Sequence, residues 1–230
     1  MSRARRGAAI AAPRLPTGRA VPLVRDLEVG DDGVYTDLDV AQGRLANTVA
    51  RNVRIERVCL RDTDLSQARF ERLTLADVRL ERCDLANGFW RNAQIDRTEF
   101  IGCRLTGVDL ADASLRHVLM RQCQGALISF RSARLEHGRL EDCSLPEADF
   151  HDAQLSGLIA RASDLRGASL YGANLDGADL RGSILGDLRM RATDLRGAVL
   201  DPVQLVAVAR TLASLLGIIV RDTRDYTPPA

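Results

Sequence analysis

Four cysteines are the residues of this sequence whose type and spacing could most readily do chemistry. Cys83, Cys103, Cys123 and Cys143 lie in the segments RCDL, GCRL, QCQG and DCSL, each twenty residues after the one before. Thiolates are ligands for zinc, and paired thiols form disulfides, so both kinds of site must be considered. A third interpretation is that the thiols are packed in a core and that twenty residues is the length of a structural repeat.

Two histidines show the same spacing, since His117 and His137 are also twenty residues apart. Two imidazoles without a carboxylate beside them form a weak metal site, so ordinary surface histidines are the favoured interpretation. The sequence contains no phosphate-binding glycine loop, no HExxH and no nucleophile elbow. We therefore predict a protein that is not an enzyme, with no catalytic residues, no bound metal and no cofactor.

The elements that position these residues follow from a repeat of five. From Leu45 to Leu200 every fifth residue is apolar, with Gly125 as the one exception, and the phase never slips. Two residues before each of these centres lies a small or apolar residue, such as Ala68, Val78 or Ala133. A period of five fits neither an α-helix nor simple strand alternation, and repeats of fixed length indicate a solenoid.

The segments DLRGASLYGANLDGADLRGSIL and DLSQARFERL resemble the pentapeptide-repeat family, whose pattern is A(D/N)LXX. The resemblance covers roughly residues 41–200 and implies an all-β fold, a right-handed, parallel, quadrilateral β-helix. Each unit would form one side and four units one coil of twenty residues, so about eight coils are expected. Stacked strands lie about 4.8 Å apart, and stacking is what buries two residues on each side.

This geometry favours packed thiols for the four cysteines, because the solenoid places them in one inward column. Ligands spaced about 4.8 Å apart along a line cannot converge on one tetrahedral zinc ion. Parallel side chains in register also hold their Cβ atoms farther apart than the roughly 3.8 Å of a disulfide. A disulfide under oxidation and a metal site remain as less favoured alternatives. Cys59 is expected to face solvent, Leu127 to fill the gap at Gly125, and Leu158 to compensate for the small Ala160.

Both ends of a solenoid require caps. We expect a disordered, Arg-rich tail over residues 1–20, an N-terminal cap over 21–40, and an α-helix over 201–217 that starts at Asp201 and Pro202. Its face of Leu205, Val208, Leu212 and Leu215 or Leu216 would cover the last coil. Residues 218–230 are expected to form a strand and tail. The resemblance implies a homodimer through the C-terminal ends, for which the candidate interface residues are Val203, Val206, Leu216, Ile218 and Ile219.

Charge and hydropathy limit the classes of partner. The chain has 230 residues and a formal net charge of +1, so no global field favours direct binding to nucleic acid or to an anionic membrane. No apolar run approaches the roughly 18 residues of a spanning helix, and the apolar stretch near the N-terminus is too short for a signal peptide. We expect a cytoplasmic protein with reduced thiols.

The resemblance also supplies the first hypothesis on function, because one branch of the family binds DNA gyrase and topoisomerase IV. Members of that branch act as DNA mimics and alter the action of quinolones, which is a form of antibiotic resistance. A mimic requires a long acidic stripe, since duplex DNA carries one charge per about 1.7 Å. Residues 41–200 carry 23 Arg against 22 Asp and Glu.

A non-catalytic protein-binding rod that modulates or protects gyrase is therefore one hypothesis. The alternative is a regulatory or scaffold module for protein–protein interaction that is unrelated to topoisomerases. The candidate partner-binding surface combines an acidic group with exposed apolar residues, namely Glu141, Asp142, Glu147, Asp149, Asp152, Phe89, Leu119 and Ile159.

Overall fold

The computed structural model describes residues 9–16, 23–24 and 27–220 of the chain. Within these residues it contains twelve short strands followed by one helix. They are β1 Leu23–Val24, β2 Val34–Thr36, β3 Asp39–Ala41, β4 Val49–Arg51, β5 Arg54–Arg61, β6 Arg69–Glu71, β7 Thr74–Glu81, β8 Gln94–Ile101, β9 Ser114–Arg121, β10 Arg134–Glu136, β11 Arg139–Glu141, β12 Ile159–Arg161 and α1 Pro202–Leu215. Most of the strand and tail expected over residues 218–230 lies outside the described residues.

Every strand pairs in parallel with the strand twenty residues away, apart from the cap strand β1. Ile55 pairs with Leu75, and Leu75 pairs with Ile95. Single bridges continue the same step along the chain as far as Asp179 and Val199. The chain is thus a parallel β-solenoid of about seven coils, close to the eight expected, and it ends in one helix. The predicted fold class is confirmed.

The interior is built from the residues that the five-residue phase selected. The centres are buried from Leu45 to Met190, and most of the residues two positions earlier are buried with them. The large side chains stack between coils, because the rings of Phe130 and Phe150 lie 5.2 Å apart and nearly parallel. Phe70 and Trp90 pack at 6.0 Å in a tilted arrangement. Such stacks of aromatic rings add stability beyond the area they bury.

The space left by Gly125, which has no side chain, is not filled by Leu127 as the sequence suggested. Leu127 does not fill the gap, because its side chain is 60% exposed. A Cβ at Gly125 would lie only 2.7 Å from Cδ2 of Leu145, so the leucine of the next coil already occupies the space. Leu158 is buried as expected, and its Cδ1 fills the space beside Gly138.

The corners of the solenoid have a backbone requirement that the repeat search missed. Almost every fifth residue from Asp32 to Asp187 has a positive φ, and the non-glycine examples include Arg57, His117 and Leu127. A positive φ brings the side chain close to the backbone, so β-branched residues avoid it. None of these non-glycine corner residues in the described chain is Val, Ile or Thr. The corner position therefore selects Asp, Asn, Arg, Gln and Gly.

The C-terminal helix covers the last coil with the middle of the predicted face, Val208 and Leu212, but not with its two ends. Gln204 and Val208 are buried and Leu212 packs against the core, whereas Leu205, Leu215 and Leu216 are exposed. Asp201 caps the helix as expected, and its side chain accepts a hydrogen bond from the Gln204 amide. The prediction that Leu205 lies on the buried face was wrong, because the polar side chain of Gln204 has a role there.

That role is to satisfy backbone carbonyls at the open end of the solenoid. Nε2 of Gln204 donates hydrogen bonds to the carbonyl oxygens of Leu180 and Ser183, each at 2.6 Å. Its Oε1 accepts from the backbone amide of Asp201 at 2.9 Å. The carbonyl of Leu180 also accepts from the Ser183 amide at 3.2 Å, whereas that of Ser183 has no other donor among the described residues. A buried carbonyl left unpaired is costly. Gln204 thus closes the end of the rod.

Part of the N-terminal tail lies on the solenoid. Residues 9–16 do not match the disorder expected over residues 1–20, because two of their backbone amides donate hydrogen bonds to solenoid side chains. The amide of Ala11 donates to Nδ1 of His117, and that of Arg14 donates to Oδ1 of Asp77. These contacts use the backbone, so the side-chain pattern gave no indication of them.

Candidate functional site

The cysteine column is a packed core feature. Cys83, Cys103, Cys123 and Cys143 are buried, and all are free thiols. Each sulfur also lies within hydrogen-bond distance of a backbone carbonyl in the preceding coil, as Cys123 does with Phe100 at 3.3 Å. Hydrogen bonding to Cys123 raises the pKa of Cys103 and Cys143, whereas hydrogen bonding to Cys103 lowers the pKa of Cys83 and Cys123. Because all four sulfurs are buried, neither an electrophile nor a metal ion in solution can reach them in the folded protein.

Cys59 is the exception in position, since it lies on the outside of β5. Its side chain is half-buried and not fully exposed to solvent as expected. Burial, followed by the nearby charge of Glu81, raises the pKa of Cys59 to about 11. Its thiol is therefore protonated at neutral pH.

No metal centre is assembled by the residues that the structure describes. Within them, no group of three or more His, Cys, Asp or Glu side chains could hold an ion. His117 and His137 stack with ring centroids 4.7 Å apart, a geometry in which one ring covers the other. Burial, followed by the neighbouring His137, lowers the pKa of His117.

Among the described residues, the apolar void inside the solenoid is too small for a ligand. The apolar void among Leu155, Leu165 and Leu175 has a volume of about 10 Å³. A single water needs at least this much space, and polar partners as well. Any binding by the described part of the chain therefore takes place on its surface.

Surface charges are neutralised between coils. Arg82 binds both carboxylate oxygens of Asp62, twenty residues away, at 2.7 and 2.8 Å. Arg97 binds Asp77 in the same bidentate manner at 2.6 and 2.8 Å. Hydrogen bonding by the arginine lowers the pKa of Asp62 and of Asp77. These pairs leave no continuous acidic stripe along the coils that contain them.

The predicted acidic group is divided by the same pairing. Glu141 contacts Arg121 at 2.9 Å, and Asp149 contacts Arg131 at 3.2 Å. Asp142, Glu147 and Asp152 are exposed and lie at three successive corners with positive φ. Among the described residues, no arginine lies within ion-pair distance of these three carboxylates. They form a short acidic arc around one coil, which we call the acidic arc.

The predicted apolar contacts on the sides of the rod are mostly covered. Leu119 is only 8% exposed, and Phe89 and Ile159 are half-buried. The residues predicted for the C-terminal interface are all exposed, from 57% for Ile218 to 80% for Val203. Three neighbours outside the predicted interface, Leu205, Leu215 and Val220, are also exposed. The structure thus concentrates exposed apolar surface on the C-terminal end, which we call the C-terminal apolar patch.

The described residues contain no helix with the length and apolar character needed to cross a membrane. A contiguous apolar patch of this kind on a folded domain is more typical of a protein interface than of solvent-exposed surface.

Comparisons with known proteins identify the repeat. The family model for a pentapeptide repeat region matches residues 93–170, and the model for pentapeptide repeats in eight copies matches residues 163–201. No curated protein sequence matches the chain.

Several solved structures are similar to the chain at low identity. QnrB1, a plasmid-mediated fluoroquinolone resistance protein, is 22% identical over 86% of this chain and 99% of its own, with a TM-score of 0.48. A pentapeptide repeat protein from the Arabidopsis thaliana thylakoid lumen is 23% identical over 51% of this chain and 75% of its own, with a TM-score of 0.41. HetL, involved in heterocyst differentiation regulation in the cyanobacterium Nostoc, is 24% identical over 77% of this chain and 90% of its own, with a TM-score of 0.29.

Proposed function

Because the chain belongs to the pentapeptide-repeat family, we propose that it is a non-catalytic rod that binds another protein and dimerises through its C-terminal end. The observation that supports this proposal is the division of the surface. The sides carry mutually paired charges, whereas exposed apolar side chains are concentrated on the C-terminal apolar patch. A paired surface keeps the rod soluble along its length, and an apolar end favours association.

The dimer is tested by its mass in solution. We expect a dimer at micromolar concentration by sedimentation equilibrium, and we expect Val206→Arg to give a monomer. Val206 is 75% exposed, so the substitution places a charge in the interface without disturbing the core. Val49→Arg is the matched control, because Val49 is 70% exposed but lies on β4. A monomeric wild-type protein would remove this part of the proposal.

The partner-binding surface that we propose is the acidic arc of Asp142, Glu147 and Asp152. Asp152 contacts Nε2 of His151 at 3.2 Å, but none of the three carboxylates has an arginine partner among the described residues, so the arc fits a partner with a basic surface. The triple change Asp142→Asn, Glu147→Gln and Asp152→Asn should weaken binding without affecting folding. Asp62→Asn is the control, since Asp62 is already paired with Arg82.

The family resemblance suggests DNA gyrase or topoisomerase IV as the candidate partner. A partner of this kind implies that the protein is cytoplasmic. The rod shape supports this candidate. The paired charges support the alternative, an interaction module for an unrelated protein, because a duplex mimic needs unpaired negative charge along its length.

A supercoiling assay distinguishes these two candidate partners. It uses purified gyrase and a quinolone, with and without an excess of this pentapeptide-repeat protein. A change in drug response that the triple variant lacks supports the topoisomerase. A flat response excludes it and leaves the unrelated partner, which affinity capture from the host would then identify.

A further inference from the structure

Residues 9–16 run along the outside of the solenoid and bind it through two backbone amides. The amide of Ala11 lies 3.3 Å from Nδ1 of His117, and the amide of Arg14 lies 3.0 Å from Oδ1 of Asp77. His117 and Asp77 are corner residues of the same column, forty residues and therefore two coils apart. Between them in that column lies Arg97, whose guanidinium holds Asp77 from one side.

The spacing of an extended chain matches the spacing of these acceptors. Two coils of a stacked sheet rise by about 9.6 Å. Three residues of extended chain span about 10 Å, so donors at positions 11 and 14 fall opposite acceptors two coils apart. Pro13 lies between the two donors, where its ring fixes φ at a value compatible with an extended chain and disfavours a helical conformation at Ala12. The segment is therefore prepared for this surface before it binds.

The surface is also prepared for the segment. Asp77 has a side chain only 11% exposed, and its bidentate pair with Arg97 fixes the orientation of the oxygen that accepts from Arg14. Along the segment, Ala9, Ala12 and Arg14 are exposed, whereas the other five residues are half-buried. One side of an extended strip thus faces the solenoid and the other faces solvent.

We propose that the corner column from Asp77 to His117 is a docking surface for an extended peptide, that residues 9–16 of this chain occupy it, and that protonation of His117 releases them. We call residues 9–16 the strap. The neutral imidazole accepts from Ala11 on Nδ1, which places its own proton on Nε2. Protonation puts a second proton on Nδ1, so that two donors then face each other and the bond is lost.

The charges around His117 favour the neutral ring. His137 stacks on one face, Arg116 and Arg97 are near, and Asp96 acts in the opposite direction. Burial, followed by His137, lowers the pKa of His117 below its ordinary value, and the two arginines act in the same direction. Because the docked state prefers the neutral ring, docking has its full strength above the ordinary pKa of about 6.5 and weakens as pH falls through the lowered pKa.

The second anchor does not respond in this range. Arg97 lowers the pKa of Asp77 through its hydrogen bonds, so the carboxylate that accepts from Arg14 stays ionised well below the pKa of a histidine. Release on acidification therefore begins at the Ala11 end of the strap.

The experiment follows the strap in the full-length protein by the ¹⁵N heteronuclear NOE of the Ala11 and Arg14 amides between pH 7.5 and pH 5. We expect rigid values at pH 7.5 and loss of the Ala11 NOE on acidification. His117→Asn should keep the strap docked at every pH, because Asn tolerates the positive φ and places an oxygen where Nδ1 lies. His137→Asn, the same change one coil away, should keep the transition but move its midpoint to higher pH, because the ring that lowers the pKa of His117 is removed.

A second pair of variants tests the same hydrogen bond through its effect on the pKa of His117. Ala11→Pro removes the donor and should raise the pKa of His117 measured from its ring resonances, whereas Ala12→Pro should leave it unchanged, since the Ala12 amide makes no such bond in the described chain. An Ala11 amide that is mobile at pH 7.5, or rigid at pH 5 in the wild type, overturns the proposal. A transition that persists in His117→Asn also overturns it, as does an equal effect of the two proline variants.

Discussion

At the scale of single residues, the corner positions are the places where this chain accepts conformational strain. A left-handed backbone costs an L-residue with a Cβ about 1–2 kcal/mol, and Gly, Asn and Asp avoid most of that cost. Leu127 has φ of 60° at such a corner, and its side chain is 60% exposed. It therefore bears the strain without the compensation of burial.

We predict that Leu127→Asn raises the free energy of unfolding by about 1 kcal/mol, because Asn tolerates the left-handed region. Urea unfolding of the two proteins measures the difference. Ser132→Asn is the matched control, since Ser132 is a polar corner residue with φ of 54° and has little to gain. A lower urea midpoint for the Leu127 variant would mean that this leucine makes contacts that stabilise the fold.

The thiols give a second prediction at the same scale. In the native protein, a thiol reagent at pH 8 should leave Cys83, Cys103, Cys123 and Cys143 unmodified, because they are buried and the reagent reacts only with accessible thiolates. Cys59 should react slowly, since its pKa is raised to about 11. Mass spectrometry counts the modified thiols, and the same protein in 8 M urea should show all five. Rapid modification of the column in native protein would contradict the packing.

At the scale of elements, the two ends of the solenoid are completed by segments outside the repeat. The C-terminal helix contributes Gln204, whose amide binds two carbonyls of the last coil and one backbone amide of its own first turn. This single side chain joins the helix cap to the sheet edge, so the helix and the last coil should unfold together.

We predict that Gln204→Ala lowers the free energy of unfolding by about 1–3 kcal/mol, because the carbonyl of Ser183 loses its donor and that of Leu180 keeps only the Ser183 amide. Arg210→Ala on the exposed face of the same helix controls for the change in helix content. Circular dichroism during urea unfolding compares the two variants. Equal midpoints would show that water replaces the glutamine amide without loss.

The sequence predicted these elements unevenly, and the reason lies in which atoms make the contacts. The five-residue phase identified the inward residues such as Phe70 and Leu140, because the side chains that are buried are also the apolar ones that repeat every five residues. The buried face of the helix was predicted correctly at Val208 and Leu212 but wrongly at Leu205, because the apolar pattern gives no sign that the polar Gln204 is buried. The strap was missed, because its anchors are backbone amides. Leu119 was expected to be exposed but is covered, although its outward position was placed correctly.

At the scale of the whole molecule, the register of twenty makes each coil a nearly equivalent layer. Stability in such arrays depends on the contacts between neighbouring layers. The cysteines and the paired charges contact their counterparts in the next coil only when the register of twenty is kept. Arg82 reaches Asp62 for this reason, and Phe150 stacks on Phe130.

We therefore predict that deletion of one full coil, residues 85–104, is tolerated better than the smaller deletion of residues 85–94. Both keep the five-residue phase. The full coil preserves every column, whereas ten residues rotate the remaining rod by half a turn and place the cysteine column above Leu73. The urea midpoint of the ten-residue deletion should be the lower of the two. The reverse order would show that size matters more than register.

The register also turns residue numbers into a cylindrical map of the molecule. The remainder after division by twenty gives the direction in which a side chain points from the axis, and the quotient gives its height. A compact epitope on one side consists of residues twenty and forty positions apart, as His117 and Asp77 are beneath the strap. Short peptides cut from this chain would therefore reproduce only a single layer of any binding site, so partners must be mapped by single substitutions in the intact rod.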